Sequence, residues 1–154
     1  MKHQSFCVQC ATLGPLGYMQ APGTIATLLS VPFVYYLRTN ISDVGYVIFV
    51  IVFFIAAFFC IEQALLYFRD THDPAEIVLD ECLGCFITFY QIPMTISFLI
   101  VGFLLFRFFD IFKLFGIKKA EIFTGAWGVM LDDIMAALLS NVVLQVLNVY
   151  VIHS

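Results

Sequence analysis

The chain has 154 residues, of which 62% are hydrophobic and only 12% carry a charge. Globular domains carry roughly 25% charged residues, so a surface built from this chain would be too apolar for water. A chain of this length suits one domain, and we expect residues 1–154 to form a single membrane-embedded domain. The net charge of −4 and the lack of a basic, aromatic-rich stretch in the sequence argue against nucleic acid as a partner.

Five apolar segments follow one another and predict an all-α, polytopic membrane helical bundle. They cover approximately residues 25–37, 44–68, 77–92, 95–112 and 126–152. A hydrocarbon core of roughly 30 Å needs about 20 helical residues. The first and third segments are shorter than this, so each must tilt, thin the bilayer or re-enter it. We therefore expect four or five membrane segments, some of them short or re-entrant.

The basic residues favour one orientation of this bundle, because cytoplasmic loops are enriched in Lys and Arg. With a cytoplasmic N-terminus and five crossings, Arg38 alone lies on the outer side, beside Asp43. The other six basic residues lie on the cytoplasmic side: Lys2, Arg69, Arg107, Lys113, Lys118 and Lys119. The same topology places most polar stretches at the cytoplasmic ends of the helices, where they can form one site.

Two Cys-x-x-Cys pairs have the spacing of zinc ligands, namely Cys7 with Cys10 and Cys82 with Cys85. A structural zinc site needs four ligands that meet. The second pair lies within an apolar helical segment, about seventy residues from the first. We therefore interpret these cysteines as reduced packing residues.

Five carboxylates interrupt otherwise apolar segments, and they are the candidate catalytic residues: Asp80, Glu81, Asp110, Asp132 and Asp133. A charge at mid-bilayer costs about 2.5–3.5 kcal/mol on insertion scales, and crowded carboxylates repel one another unless a cation lies between them. Ligands that are all oxygens suit Mg²⁺ or Mn²⁺ better than zinc. We expect the cation to be bound by four of them: Asp80, Glu81, Asp132 and Asp133.

Four further side chains are candidate substrate-binding residues: Thr24, His72, Arg107 and Lys113. Arg107, Asp110 and Lys113 recur at a spacing of three and form a stripe on one helix, so the two cations can bind phosphate oxygens. Simpler interpretations stay open. Arg107 and Asp110 can form only a structural salt bridge, His72 can be an interfacial loop residue, and Thr24 can cap a helix.

Four groups of residues, in this order, resemble the phosphatidylglycerophosphatase A family. They are Ala21-Pro22-Gly23-Thr24; His72-Asp73-Pro74 with Glu76-Ile77-Val78-Leu79-Asp80-Glu81 and Gly84; Arg107-Phe108-Phe109-Asp110 with Lys113; and Gly125-Ala126-Trp127-Gly128-Val129-Met130-Leu131-Asp132-Asp133 with Ala136. The chain departs from the family pattern at Ala26, where glycine is usual, and at Leu114, where proline is usual.

This resemblance implies a magnesium-dependent membrane phosphatase that converts phosphatidylglycerophosphate to phosphatidylglycerol and phosphate. It also implies a bacterial inner-membrane location with the site facing the cytoplasm, in agreement with the distribution of basic residues. Two other classes of protein stay open: an ion-coupled transporter, since intramembrane carboxylates also mark ion pathways, and a non-catalytic membrane assembly subunit. The sequence leaves open the number of metal ions, the oligomeric state, and whether water or an aspartate is the nucleophile.

Overall fold

The computed structural model describes residues 6–68, 74–112 and 124–152, and these contain helices and no strand. The all-α prediction is therefore confirmed for the described part of the chain. These described residues form six α-helices and one 3₁₀ turn, Leu16–Tyr18. The α-helices are α1 Phe6–Ala11, α2 Pro22–Asn40, α3 Asp43–Tyr67, α4 Leu79–Thr88, α5 Ile96–Phe112 and α6 Ala126–Ile152.

Among the described residues, α3 and α6 are long and apolar enough to cross a membrane. Helix α3 has 25 residues, which at 1.5 Å per residue gives roughly 38 Å, more than the roughly 30 Å of a hydrocarbon core. Only 17% of its apolar stretch is buried inside the protein. Because a core helix of a soluble protein would be mostly buried, this exposed apolar surface points to lipid as the surroundings of α3.

The three longer segments expected from the sequence agree closely with α3, α5 and α6. Helix α2 is longer than the expected segment 25–37, since it begins at Pro22, a residue suited to the first turn of a helix. Helix α4 is shorter than the expected segment 77–92. It ends at Thr88 because Gln91 takes a positive φ of 54° and Pro93 follows.

The sequence did not predict α1 or the 3₁₀ turn, and both support the start of α4. The Val78 backbone N–H donates a hydrogen bond of 2.9 Å to the Ala11 carbonyl. Gly17 packs so closely on the Glu76 carbonyl that an added Cβ would overlap that oxygen. The N-terminal segment therefore helps to place the chain that enters α4.

Contacts between helix ends show that neighbouring helices run in opposite directions. At one end of the bundle, the first turn of α2 reaches Glu81 of α4 and Arg107 near the end of α5. At the same end, the Ala126 N–H at the start of α6 donates to Glu62 Oε2, near the end of α3, at 2.8 Å. The start of α4, the end of α5 and the start of α6 thus share one end of the bundle.

Farther along α6, two amide side chains bind the end of α4, and we call this contact the amide clamp. Asn141 Nδ2 donates to the carbonyls of Thr88 and Tyr90, at 2.9 and 2.8 Å, and Gln145 Nε2 donates to Tyr90 at 3.2 Å. The last carbonyls of a helix have no partner within that helix. The clamp supplies partners for the carbonyl of Thr88, the last residue of α4, and for that of Tyr90 just beyond it.

Candidate functional site

The five carboxylates expected from the sequence line one cavity of about 120 Å³, which we call the acidic cavity: Asp80, Glu81, Asp110, Asp132 and Asp133. The first two lie at the start of α4, the third near the end of α5, and the last two in the second turn of α6. Asp80 and Asp132 thus lie on the same cavity, as the predicted topology requires. Ile77 and Val129 add apolar walls.

Three of these carboxylates form a tight group. Asp80, Glu81 and Asp133 each offer an oxygen, and these three atoms lie within 4.8 Å of one another. Asp80 and Asp133 are only 6% and 4% exposed. Burying such charges together is costly unless a counter-charge is present. The group therefore has the geometry of a cation site.

Two buried oxygens in this group need a partner. Glu81 Oε2 and Asp133 Oδ2 make no hydrogen bond to any described residue. Most buried polar atoms are hydrogen-bonded, so an exception calls for an explanation such as an ion. A donor set of carboxylate oxygens fits Mg²⁺ or Mn²⁺, which prefer hard oxygen ligands. The described residues therefore fit a divalent metal ion.

The two acidic pairs share one local arrangement. Asp80 Oδ1 accepts a hydrogen bond from the Glu81 N–H, and Asp132 Oδ1 accepts one from the Asp133 N–H, each at 3.1 Å. Each leading aspartate is thereby oriented by the backbone of the residue that follows it. Asp132 lines the acidic cavity but is not a member of the tight group, so its role as a metal ligand stays a prediction.

Arg107 is the basic group beside these acids in the described part of the chain. Its Nη1 lies 2.6 Å from Asp110 Oδ2 and 4.0 Å from Glu81 Oε1. The first pair lies within α5, whereas the second connects α5 to α4. The salt bridge between Arg107 and Asp110 is thus present, and phosphate binding by Arg107 stays a prediction.

The first turn of α2 lies against this ion pair. A Cβ added to Gly23 would overlap Glu81 Oε1 and lie 3.2 Å from Arg107 Nη1, so a larger residue here would displace the Glu81 carboxylate. Helix α2 begins at Pro22, with Ala21 at the cap position. Thr24 therefore lies inside the first turn, and the interpretation of Thr24 as the helix cap is wrong. Its proposed contact with substrate stays a prediction.

Two candidate substrate-binding residues, His72 and Lys113, lie outside the described residues. The cysteines also keep their earlier interpretation as a prediction. Cys82 and Cys85 are buried in α4, and the Cys85 thiol lies 3.8 Å from the Thr27 carbonyl, as a weak donor. Cys7 and Cys10 lie in α1.

The sequence interpretation missed one acid that positions the site. Glu62 of α3 accepts the hydrogen bond from the Ala126 N–H, and Gly125 packs beside it with φ +70°. A glycine at the start of α6 carries no side chain to bind the first N–H groups. The signal that could have identified Glu62 was this missing cap, together with an isolated acid in the apolar helix α3.

The described residues thus define a class of protein: they are all-helical, with two helices able to span a membrane and a cavity lined by carboxylates between α4, α5 and α6. Residues 9–148 match the family described as phosphatidylglycerophosphatase A. The chain therefore belongs to the phosphatidylglycerophosphatase A family, which confirms the resemblance drawn from its four groups of residues.

Three curated relatives are similar to parts of the chain. A protein of Bacteroides thetaiotaomicron described provisionally as a phosphatidylinositol-3-phosphatase is 39% identical over 77 residues, which are 48% of this chain and 48% of the relative. The phosphatidylglycerophosphatase A of Haemophilus influenzae is 40% identical over 74 residues, or 47% and 45%. The phosphatidylglycerophosphatase A of Escherichia coli is 32% identical over 124 residues, or 77% and 69%.

The matches to the first two relatives span about half of each relative's length. No solved structure matches the chain.

Proposed function

We propose that the protein is a Mg²⁺-dependent lipid phosphatase that hydrolyses phosphatidylglycerophosphate to phosphatidylglycerol and phosphate. Membership of the family and the names of the relatives from H. influenzae and E. coli support this substrate. The single observation that carries the proposal is the acidic cavity, where five carboxylates from three helices meet beside Arg107.

In this proposal the tight group holds the cation. Asp80, Glu81 and Asp133 provide carboxylate oxygens, and Asp132 contributes from the same cavity. A bound divalent cation supplies Lewis-acid stabilisation of phosphoryl oxygens and activation of the attacking group. In the described part of the cavity the carboxylates outnumber the basic groups, so they would repel a phosphate ester unless a bound cation offset their charge.

Arg107 binds the phosphate of the substrate in this mechanism, and Asp110 positions it. The 2.6 Å contact holds the guanidinium group on the side of the cavity where α4 and α5 meet. Arginine can bind two phosphate oxygens at once. Thr24, His72 and Lys113 are proposed as further substrate contacts, with Thr24 in the turn of α2 that touches the ion pair.

We place the site at the cytoplasmic face of the bacterial inner membrane, in a bundle with four or five crossings. The exposed apolar surface of α3 and the shared end of the helices support this arrangement. A β-lactamase fused after residue 154 tests the number of crossings in this arrangement. If the N-terminus is cytoplasmic, five crossings place the fused enzyme outside the inner membrane, where it makes the cells resistant to ampicillin. Four crossings keep the enzyme in the cytoplasm, and the cells stay sensitive.

The activity is tested with purified protein in mixed micelles of detergent and phosphatidylglycerophosphate, by measuring phosphate release with Mg²⁺ or with EDTA. We expect release only with the divalent cation, and we expect Asp80→Asn to abolish it. Asp43→Asn is the matched control, because it makes the same chemical change at the other end of the bundle, where Asp43 pairs with Arg38. Equal release by wild type and Asp80→Asn would refute the site.

The relative described as a phosphatidylinositol-3-phosphatase raises the question of substrate. The same assay with phosphatidylglycerophosphate, phosphatidate and phosphatidylinositol 3-phosphate compares the three lipids by kcat/KM. We expect the first to be preferred. Preference for the inositol lipid would change the substrate but keep the site. No release from any lipid under any metal condition would favour the transporter or the assembly subunit.

A further inference from the structure

An apolar groove of about 440 Å³ runs along the side of α4 that faces α2 and α3. Its walls include Ala26, Leu29 and Phe33 of α2, and Leu79, Cys82 and Phe86 of α4. This volume lies within the range of small-molecule sites, roughly 300–1,000 Å³. Ser30 also lines the groove, but its hydroxyl already donates to the Ala26 carbonyl at 2.9 Å. The groove therefore suits an apolar ligand.

One end of this groove adjoins the proposed phosphate site. On α4, Leu79 lies in the same first turn as Asp80 and Glu81, although the groove and the acidic pair lie on opposite sides of that helix. On α2, Ala26 follows Gly23 by three residues, so both lie on one helix face, and Gly23 touches Glu81 and Arg107. From there the groove runs along both helices, toward Phe33 and Phe86 and away from the charged end.

We propose that this groove binds one acyl chain of the lipid substrate while the phosphate lies in the acidic cavity. The inference rests on the proposed function and names the part of the site that positions the lipid. Because surrounding lipid is as apolar as the groove, the transfer of a chain into it gains little hydrophobic free energy. Its contribution is orientation: it fixes the headgroup over the reacting groups.

A second apolar cavity provides an internal comparison. It has about 210 Å³ and lies between α3, α4 and α6, where its lining includes Val47, Tyr90 and Asn141. This places it beside the amide clamp and away from the acidic cavity. We assign the acyl chain to the larger groove because its wall residue Ala26 lies one turn from Gly23, which packs against Glu81 and Arg107.

Two neighbouring leucines of α2 provide a matched pair of variants. Leu28 and Leu29 are 57% and 54% exposed, but only Leu29 lines the groove. We expect Leu29→Trp to fill the groove and lower kcat/KM for the long-chain substrate by about tenfold through misplacement of the headgroup. The same variant should hydrolyse an acyl-free analogue, glycerophosphoglycerol phosphate, at the wild-type rate, and Leu28→Trp should change neither rate.

Photo-crosslinking separates this inference from the proposed function. The probe is a non-hydrolysable phosphonate analogue of phosphatidylglycerophosphate with a diazirine in one acyl chain, and the protein is wild type with Mg²⁺, so that the metal ligands stay intact and hydrolysis does not interfere. We expect labelled peptides from the groove walls at Leu29 and Phe86, and we expect Leu29→Trp to remove the label. Labelling spread evenly over α3, as bulk lipid would give, overturns the groove, as does the absence of label from the peptides that contain Leu29 and Phe86.

The two proposals fail in different ways. If wild type hydrolyses the long-chain substrate and Leu29→Trp matches it, the groove proposal is wrong and the phosphatase proposal stands. If no lipid phosphate is hydrolysed but the groove alone is labelled, the phosphatase proposal is wrong and the acyl-chain site stands.

Discussion

The polar groups of the acidic cavity and those of the amide clamp differ in how fully they are hydrogen-bonded. In the clamp, Asn141 and Gln145 donate hydrogen bonds to carbonyls at the end of α4 and just beyond it. In the cavity, Glu81 Oε2 and Asp133 Oδ2 are buried without a hydrogen-bond partner among the described residues. Both regions involve α4 and α6, and they lie at opposite ends of α4.

This contrast separates a structural polar contact from a functional one. A buried amide that satisfies backbone carbonyls stabilises the protein, because each carbonyl would otherwise lose its partner on leaving water. Buried carboxylates with unpartnered oxygens destabilise it until a ligand binds. The comparison therefore predicts that substitutions in the acidic cavity lower activity, whereas substitutions in the amide clamp lower stability.

The largest effect is expected for Asp133→Asn in the tight group. Loss of one preorganised electrostatic group costs roughly 10²–10³-fold in rate, and phosphate release measures it. Without metal, the variant should be at least as stable as wild type, because a buried charge is removed. In wild type, Mg²⁺ at 100 times its Kd should stabilise by about 2.7 kcal/mol, seen as a rise in Tm that the variant lacks. Unchanged activity, or an unchanged metal-induced shift, would contradict the site.

A smaller effect is expected for Arg107→Gln. A hydrogen bond to a charged group contributes roughly 1.5–3 kcal/mol, so kcat/KM should fall by about 10- to 150-fold, mainly through KM. Arg107→Lys should recover part of this loss, since it keeps the charge but not the bidentate geometry. An equal loss in both variants, with KM unchanged, would indicate a purely structural salt bridge between Arg107 and Asp110.

In the amide clamp we expect stability to change instead. Asn141→Leu removes the donors to the Thr88 and Tyr90 carbonyls and should lower the free energy of unfolding by about 1–3 kcal/mol. The specific activity of the folded fraction should match wild type. Chemical unfolding in detergent, followed by circular dichroism, gives the first quantity, and phosphate release per folded protein gives the second. A large fall in that specific activity would contradict the prediction that the amide clamp affects stability and not catalysis.

The smallest effect is expected for Glu62→Gln. The glutamine oxygen can still accept from the Ala126 N–H, so only the interaction between the charge and the start of α6 is lost, about 0.3–1 kcal/mol. A slight fall in Tm should be the main result. Glu62→Leu serves as the comparison, because it also removes the acceptor. If both variants match wild type in Tm, Glu62 does not cap α6.

Hydropathy predicted α3, α5 and α6 to within a residue or two, because a long apolar run can only be helical in lipid. It overestimated α4, whose end depends on the backbone at Gln91 and on the following Pro93 rather than on apolarity. It also missed α1, since Phe6–Ala11 is too short to form a recognisable apolar run.

Because successive membrane segments run in opposite directions, the sequence predicted that both acidic pairs would lie at the same end of the bundle. They line the same cavity. The sequence could not predict that Asp133, rather than Asp132, joins Asp80 and Glu81. Adjacent residues on a helix point about 100° apart, and the rotation of α6 about its axis depends on packing. Gly84 of α4, whose added Cβ would lie 3.5 Å from the Asp133 carbonyl oxygen, is one such packing contact.

The shortness of α4 has a mechanical consequence. Its ten residues span roughly 15 Å, and its end is joined to α6 by the amide clamp while its start carries Asp80 and Glu81. On α6, Asp133 precedes Asn141 by eight residues. The amide clamp therefore joins α4 and α6 about two turns from the carboxylates of the tight group. We expect this brace to hold the spacing of the acidic groups steady while lipids exchange around the bundle, so that metal affinity is set by the protein rather than by the membrane.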